Sequence, residues 1–339
     1  MKKLFILLGI IGLLLAGVGL YMYSLLFGSP FQISETAYVY IDTDDTADSI
    51  RSKVQAAGQA ETMKGYDLMA QLKNYGDRHR TGRYAIKPGA NMFDLVRQLN
   101  NGIQTPVNLV IPSVRTVARM TGAITRKLMM DSLSLSQILG DSSRMKELGY
   151  TKATLPCLFI PNTYEVYWDV TPEKMVERLQ KEHDKFWNND RKKKAKEAGF
   201  TTEQIVTLAS IVESETNYGP EKSAVAGLYI NRLHQGMKLQ SDPTVKFALQ
   251  KFELRRILFE HLNYDSPYNT YKYEGLPPGP ICIPTPAGID AVLNYEHHNY
   301  LYMCAKEDFS GSHNFAVGYA EHMQNAHKYQ QALNQRGIK

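Results

Sequence analysis

The chain's 339 residues fit two or three domains, and an apolar share of 43% supplies packed cores for them. A net charge of +5 is mild, and its one dense basic run, RKKKAKE from Arg191, lacks the interleaved aromatics of a nucleic-acid surface, which leaves a solvated helix face. Cys157, Cys282 and Cys304 form neither a metal-ligand spacing nor a paired framework; they read as buried thiols, with one bridge between two of them left open.

Lys2 and Lys3 precede an uncharged apolar run from Leu4 to Phe27, longer than the about 20 residues a helix needs to cross a bilayer. A cleaved signal peptide competes, but its apolar region runs to about 7–15 residues before a small-residue cleavage site. Neither feature is plain here. No cysteine lies near the run, which argues against a lipoprotein anchor. The lysines put the N-terminus in the cytoplasm and the rest of the chain across the membrane. Residues 1–28 are therefore expected to be a cytoplasmic tip and a single-pass signal anchor.

From Thr36 to about Leu128 one small design recurs. AYVYID is expected as a strand and TADSIRSKVQAAG as a helix ending at Gly58, followed by a helical connector over Tyr66 to Leu72. GRYAIKPGANMFDLVRQLNNG then gives a strand, a Pro88-Gly89 turn and a helix turning Phe93, Val96 and Leu99 inward. VNLVIP opens a third copy, with a helix from Ser113. Each unit alone is too small to bury its apolar side, so residues 36–112 are expected to pack as a compact α+β domain. The GRYAIKPGANMFDLVRQL unit resembles a LysM module, which implies binding of N-acetylated glycan. A purely structural role stands beside that reading.

A larger α+β domain is expected over residues 113–339. Leu135 to Tyr150 reads as a small helical segment, and Pro161, Asn162, Thr163 and Tyr164 as a tight turn. A long helix from Pro172 is expected to bury Met175, Leu179 and Phe186. The most informative stretch is TTEQIVTLASIVESETNYGPEKSAVAGLYINRLHQGMKLQSDPT, from Thr201 to Thr244. Thr201 and Gln204 form a capping box, and Ile205, Leu208, Ala209 and Val212 mark a buried helix face. Glu213 and Glu215 sit at the C-terminal end of that helix, where the dipole disfavours negative charge. At about 100° per residue they point roughly 160° apart, so they cannot do the same job. Glu215 falls on one margin of the apolar stripe and Glu213 on the other. A carboxylate at such a margin loses hydration, which raises its pKa and suits it to donate a proton near neutral pH. The spacing leans toward Glu215, with a solvated glutamate at a helix end as the plain alternative.

Pro220 and Glu221 restart a helix that buries Ala224, Val225, Leu228, Tyr229 and Leu233 and ends at Gly236. MKLQSDPT after it could return to the mouth of a cleft. Farther on, Pro277, Pro278, Gly279 and Pro280 hold an extended loop. Tyr268, Asn269, Thr270 and Tyr271 carry the amide, hydroxyl and ring of a polysaccharide groove, or else belong to an ordinary rigid loop. A helix over Ala287 to Asn294, a buried strand YLYMCA, and a second strand edge bearing His313 and Asn314 follow. A terminal helix with Ala320, Met323 and Tyr329 ends the chain.

LASIVESET, VAGLYINRL, GMKLQSDPTV, YNTY, GLPPGPI, YLYMCA and GSHNF, in that order, resemble the YceG-like family of endolytic murein transglycosylases. LFIPNTY resembles that family's F-P-D-T-Y segment, and the resemblance runs from Leu4 to about Tyr329. It implies an α+β fold, an inner-membrane anchor, and a catalytic domain on the periplasmic or cell-wall side. The implied substrate is the peptidoglycan glycan strand, with peptidoglycan synthases as the partners that a role in strand termination would require. No metal, cofactor or nucleic acid is implied. The family's catalytic glutamate falls on the second glutamate of E-x-E, Glu215. It would protonate the oxygen joining N-acetylmuramic acid to N-acetylglucosamine, then take the proton of the muramoyl C6 hydroxyl, leaving a 1,6-anhydro end.

Asn231, Gln240, Asp242, Thr244, Tyr268, Asn269, Tyr271, His313 and Asn314 are the candidate substrate-groove residues, with capping and turn hydrogen bonds as their other reading. Ser214, Asn162, the Pro286-Ala287 pair and Asn314 depart from the family's pattern, the last two at the presumed groove edge. A hydrolase would need a second carboxylate, for which Asp242 and Glu213 are the nearby candidates. A glycan-binding scaffold without chemistry is the other rival.

Overall fold

The computed structural model describes residues 2–73, 75, 79–254 and 256–337. It forms two compact units: one joins Met1–Leu109 with Lys127–Met130 and Tyr164–Thr171, and the other holds Val110–Arg126, Asp131–Thr163 and Pro172–Lys339.

The first unit begins with helix α1, Lys2–Phe27, which is long and apolar enough to cross a membrane. Residues 2–21 are exposed throughout, a stretch of about 30 Å at 1.5 Å per residue, which is the thickness of a bilayer's hydrocarbon core. The last turn of α1 behaves differently. The Phe27 ring sits 5.1 Å from that of Phe93, and the Leu25 carbonyl lies so close to Gly65 that a Cβ there would come within 2.1 Å of it. The run beyond the membrane-length stretch thus belongs to the folded unit.

Strand β1 (Ala37–Ile41), helices α2 (Ala47–Gly58) and α3 (Lys64–Lys73), strand β2 (Gly82–Ile86) and helix α4 (Met92–Asn101) follow. β1 and β2 pair antiparallel with Val39 opposite Tyr84. Period-two alternation turns Val39, Ile41, Tyr84 and Ile86 into one core, met by Ile50 and Val54 from α2 and by Met92, Leu95, Val96 and Leu99 from α4. Phe93 is only half-buried, because the helical period gives its place to Met92 and Leu95. Asp169 accepts hydrogen bonds from Thr81 Oγ1 (2.7 Å) and Gln104 Nε2 (3.0 Å), tying residues 164–171 into this unit. The third copy of the expected repeat does not extend the β1–β2 sheet. Its strand β3 (Val107–Ile111) pairs with β4 (Asn162–Val166), so Asn162, Thr163 and Tyr164 of the expected turn lie in a strand instead.

The second unit holds α5 (Val117–Thr125), α6 (Ser132–Gly140), α7 (Ser142–Glu147), α8 (Pro172–Phe186), α9 (Asn189–Glu197) and α10 (Thr202–Glu215). A short 3-10 turn, Gly219–Glu221, leads to α11 (Lys222–His234), α12 (Asp242–Leu249), α13 (Phe259–Leu262) and α14 (Pro286–Leu293). The antiparallel hairpin β5 (Tyr302–Ala305) and β6 (His313–Ala316) precedes α15 (Tyr319–Gln335). α10 is the central helix. Thr201 and Gln204 close its capping box, and every residue from Ile205 to Val212 is buried, so neighbours cover it all round rather than on one face. Two expected burials fall elsewhere: Trp187 takes the interior place expected of Phe186, and β5 is half-exposed. Helix α15 buries no residue fully. All three cysteines are free thiols, two of them buried.

Candidate active site

Glu215 is the last residue of α10. Two hydroxyls from elements distant in sequence converge on its Oε1. Tyr229 Oη, from the buried face of α11, donates at 2.8 Å, and Ser241 Oγ, at the cap of α12, donates to the same oxygen. Oε2 has no hydrogen bond among the described residues. Burial raises the pKa of this carboxyl, and the charge of Asp242 adds to the rise, while the two hydroxyls and His313 oppose it. The Tyr229 phenol is pushed well up by the same burial and by Glu215, so it stays a donor.

The loop before α12 sets Ser241. Gln240 takes a left-handed conformation (φ 53°), and its N–H donates to the Thr270 carbonyl (3.1 Å). The Ser241 N–H donates to Thr270 Oγ1 (3.0 Å). Holding a non-glycine residue in that region costs free energy, which the surrounding bonds must offset. Arg232 reinforces the loop by donating to the carbonyls of Leu239 (2.7 Å) and Lys238 (3.2 Å).

Glu215 opens on a cleft of about 360 Å³, whose walls also carry Tyr229, Arg232, Gln240, Asp242, Tyr271, Tyr302, His313, Tyr319 and His322. Asp242 is exposed, with Oδ1 accepting the Tyr271 hydroxyl at 2.7 Å. His313 is held by the buried Glu221, which accepts its backbone N–H (3.0 Å) and lies 2.8 Å from Nδ1. That contact fixes the ring with Nδ1 toward Glu221. Tyrosine and histidine rings and two carboxyl groups thus meet in one polar groove.

The nine expected groove residues divide. Gln240, Asp242, Tyr271 and His313 line the cleft with Glu215. The other five do not. Asn231 donates to the carbonyls of His298 (2.7 Å) and Tyr300 (3.1 Å). Thr244 is fully buried and bonds the Ser241 carbonyl and the Thr270 hydroxyl. Asn269 is fully buried and donates to the carbonyls of Leu262 and Tyr264. Tyr268 packs on Phe247 with ring centroids 4.7 Å apart, and Asn314 donates to Glu307. Four of these side chains spend polar atoms on bonds to neighbouring protein groups, and Tyr268 packs by its ring. Glu213 is separate from the cleft too. It pairs with Lys222 at 2.9 Å and accepts the Thr285 hydroxyl.

Tyr229, Ser241, Glu221 and Arg232 were not among the expected site residues. Tyr229 carried a readable signal, since a tyrosine on an apolar helix face needs a partner for its hydroxyl. Ser241 and Glu221 carried none, because their partners come from elsewhere in the fold.

The sequence model of the YceG-like family matches residues 39–328. A Bacillus subtilis (strain 168) protein described as endolytic murein transglycosylase is 25% identical over 340 residues, covering 96% of this chain and 93% of that protein. A Streptococcus pneumoniae serotype 2 protein of the same description is 26% identical, covering 86% of this chain. The chain spans 59% of that pneumococcal relative's length. A crystal structure of a yceG-like protein from Listeria monocytogenes matches with a TM-score of 0.57 at 24% identity, over 86% of this chain and 99% of that one. That last likeness concerns the fold.

Proposed function

The chain belongs to the YceG-like family, and on that premise we propose that it is an endolytic lytic transglycosylase of peptidoglycan. It cuts the β-1,4 bond between N-acetylmuramic acid and N-acetylglucosamine within nascent strands and leaves 1,6-anhydro ends. The observation that carries this reading is Glu215: a carboxyl whose pKa burial raises, at the wall of an open polar cleft, with one oxygen held and the other without a hydrogen bond among the described residues.

The protonated acid donates to the glycosidic oxygen as the bond to the muramoyl C1 breaks. Tyr229 and Ser241 then stabilise the carboxylate that forms, through charge-assisted hydrogen bonds. That carboxylate takes the proton of the C6 hydroxyl as its oxygen closes on C1. The acid is regenerated, and no water is consumed. With α1 in the membrane and its lysines on the cytoplasmic side, the cleft works on strands outside the cell, where chain cutting would terminate elongation beside the synthases.

One observation favours a muramidase as the second reading: Asp242, an exposed carboxylate in the same cleft, could activate water. Digestion in ¹⁸O-labelled water separates the two. The lytic reading expects anhydro ends without label; labelled reducing ends would establish hydrolysis instead.

A further inference from the structure

Arg232 is a buried cation that the acid–base chemistry leaves unused. The residue is 7% exposed, yet no carboxylate lies within ion-pair distance of it among the described residues. Asp242, which shares the cleft, is engaged by Tyr271 instead. The acceptors of Arg232 are neutral: Nε donates to the Leu301 carbonyl at 2.7 Å, and Nη1 donates to Leu239 and Lys238, with Gln240 Oε1 at 3.5 Å. The guanidinium carbon sits 5.4 Å from the centroid of the Tyr302 ring, and the residue lines the cleft of Glu215. Nη2 makes no hydrogen bond among the described residues.

Desolvating a charge without a counter-charge is costly, and carbonyl dipoles repay that cost only in part. The expense has a use if an oxygen-rich group of the substrate completes the site. Guanidinium suits a carboxylate or a carbonyl, because its N–H groups stand in a planar fork. Along a murein strand the two alternating sugars differ in one substituent, the 3-O-lactyl group of the muramoyl residue. That group ends in a carboxylate, or in an amide carbonyl where a peptide is attached.

We infer that Arg232 is a specificity residue that binds the oxygen of the muramoyl lactyl group and thereby sets which sugar lies over Glu215. This rests on the reading of the substrate as a murein strand. Its consequence is register: a cleft that reads the lactyl group places the muramoyl C1, and not the glucosaminyl C1, against the acid. Tyr302 lies beneath the guanidinium, and the Leu301, Leu239 and Lys238 carbonyls hold the fork in place.

The test uses peptide-free murein strands with the lactyl carboxylate intact, and the same strands with that carboxylate reduced to the alcohol. Binding is measured on the full chain carrying Glu215→Gln, so that nothing is cut. The intact strands are expected to bind at least tenfold tighter, with an advantage that shrinks as salt is raised. Adding Arg232→Lys keeps the charge but loses the fork and should reduce the ratio to threefold or less. Equal affinity for the two strands in the Glu215→Gln protein overturns the inference without recourse to any Arg232 variant, as does a ratio that Arg232→Lys leaves unchanged. If neither strand binds and the wild-type chain cuts no murein, the functional reading fails, and the inference with it.

Discussion

A glutamate at the C-terminal end of a helix faces the negative end of the dipole, and burial adds to that cost. Glu215 meets both conditions, and its raised pKa has a consequence for stability. Below the unfolded-state value of about 4.3 both states hold the proton, and burial of the group costs nothing. As pH rises past that value the unfolded chain ionises freely while the folded chain resists, so stability falls until the folded pKa is passed. Glu215→Gln removes this loss. The variant should therefore melt above wild type at pH 7, with the gap closing near pH 4; equal gaps at both pH values would contradict burial as the cause. The hydroxyls act in the opposite direction. Tyr229→Phe or Ser241→Ala withdraws support from the carboxylate, so the alkaline limb of kcat/KM should move to higher pH. A limb that moves lower would show that these groups do not serve the charged form. The helical period made Glu215 legible, because two residues of separation put the two glutamates on different faces. It could not supply Tyr229 and Ser241, whose partner lies 14 and 26 residues away in the chain. A simpler rule separates His313 from Asn314. Neighbours in a strand face opposite ways, so only one of them can face the cleft.

At the scale of elements, α10 carries its second carboxylate by sharing it. Glu213 reaches Lys222 at the start of α11 and Thr285, whose side chain also caps α14 through the Gly288 N–H (3.1 Å). One cluster thus fixes three helices. Gly288 belongs to it, because a Cβ there would stand 2.2 Å from Glu213 Oε2. Gly288→Ala should displace the carboxylate and cost about 2 kcal/mol, the scale of a hydrogen bond to a charged group. Glu213→Gln should cost a similar amount. Denaturant melts measure both, and the Glu213 change should leave kcat/KM within about threefold of wild type at a temperature where the variant is folded. An unchanged melt for Gly288→Ala would mean that the close approach is not binding. The capping box and apolar run made α10 legible as a helix. Its burial on every side was not legible, because Thr207 and Ser210 read as polar. Thr207 satisfies its hydroxyl within the helix on the Glu203 carbonyl, and Ser210 does the same on that of Thr207. α15 was legible as a helix, but not its place beside the cleft, which Tyr319 and His322 line.

At the scale of the molecule, α1 joins a membrane-length run to a folded unit. Its exposed stretch ends near Tyr21, and Leu26 and Phe27 pack on the unit that follows. A soluble chain starting at Ser29 should therefore melt lower than one starting at Met22, by about 2 kcal/mol for the partly buried side chains removed. Equal melts would make the last turn of α1 a passive tether. The hydropathy of Leu4 to Phe27 announced the helix but not where the membrane-length part stops, since leucine and phenylalanine suit lipid and protein core alike. The pairing partner of the third expected repeat was not legible for a related reason. VNLVIP is strand-like wherever it pairs, and period two does not name the partner. The proposed chemistry turns on one carboxylic acid, and the most direct test is digestion of uncross-linked, newly polymerised glycan strands with products read by mass. Wild type, Glu215→Gln and Glu213→Gln are compared on the same strands. Anhydro-ended fragments from wild type and Glu213→Gln, with a loss of 10²- to 10⁴-fold for Glu215→Gln, are the predicted result. Full activity in Glu215→Gln, or loss confined to Glu213→Gln, would contradict the assignment of Glu215 as the acid.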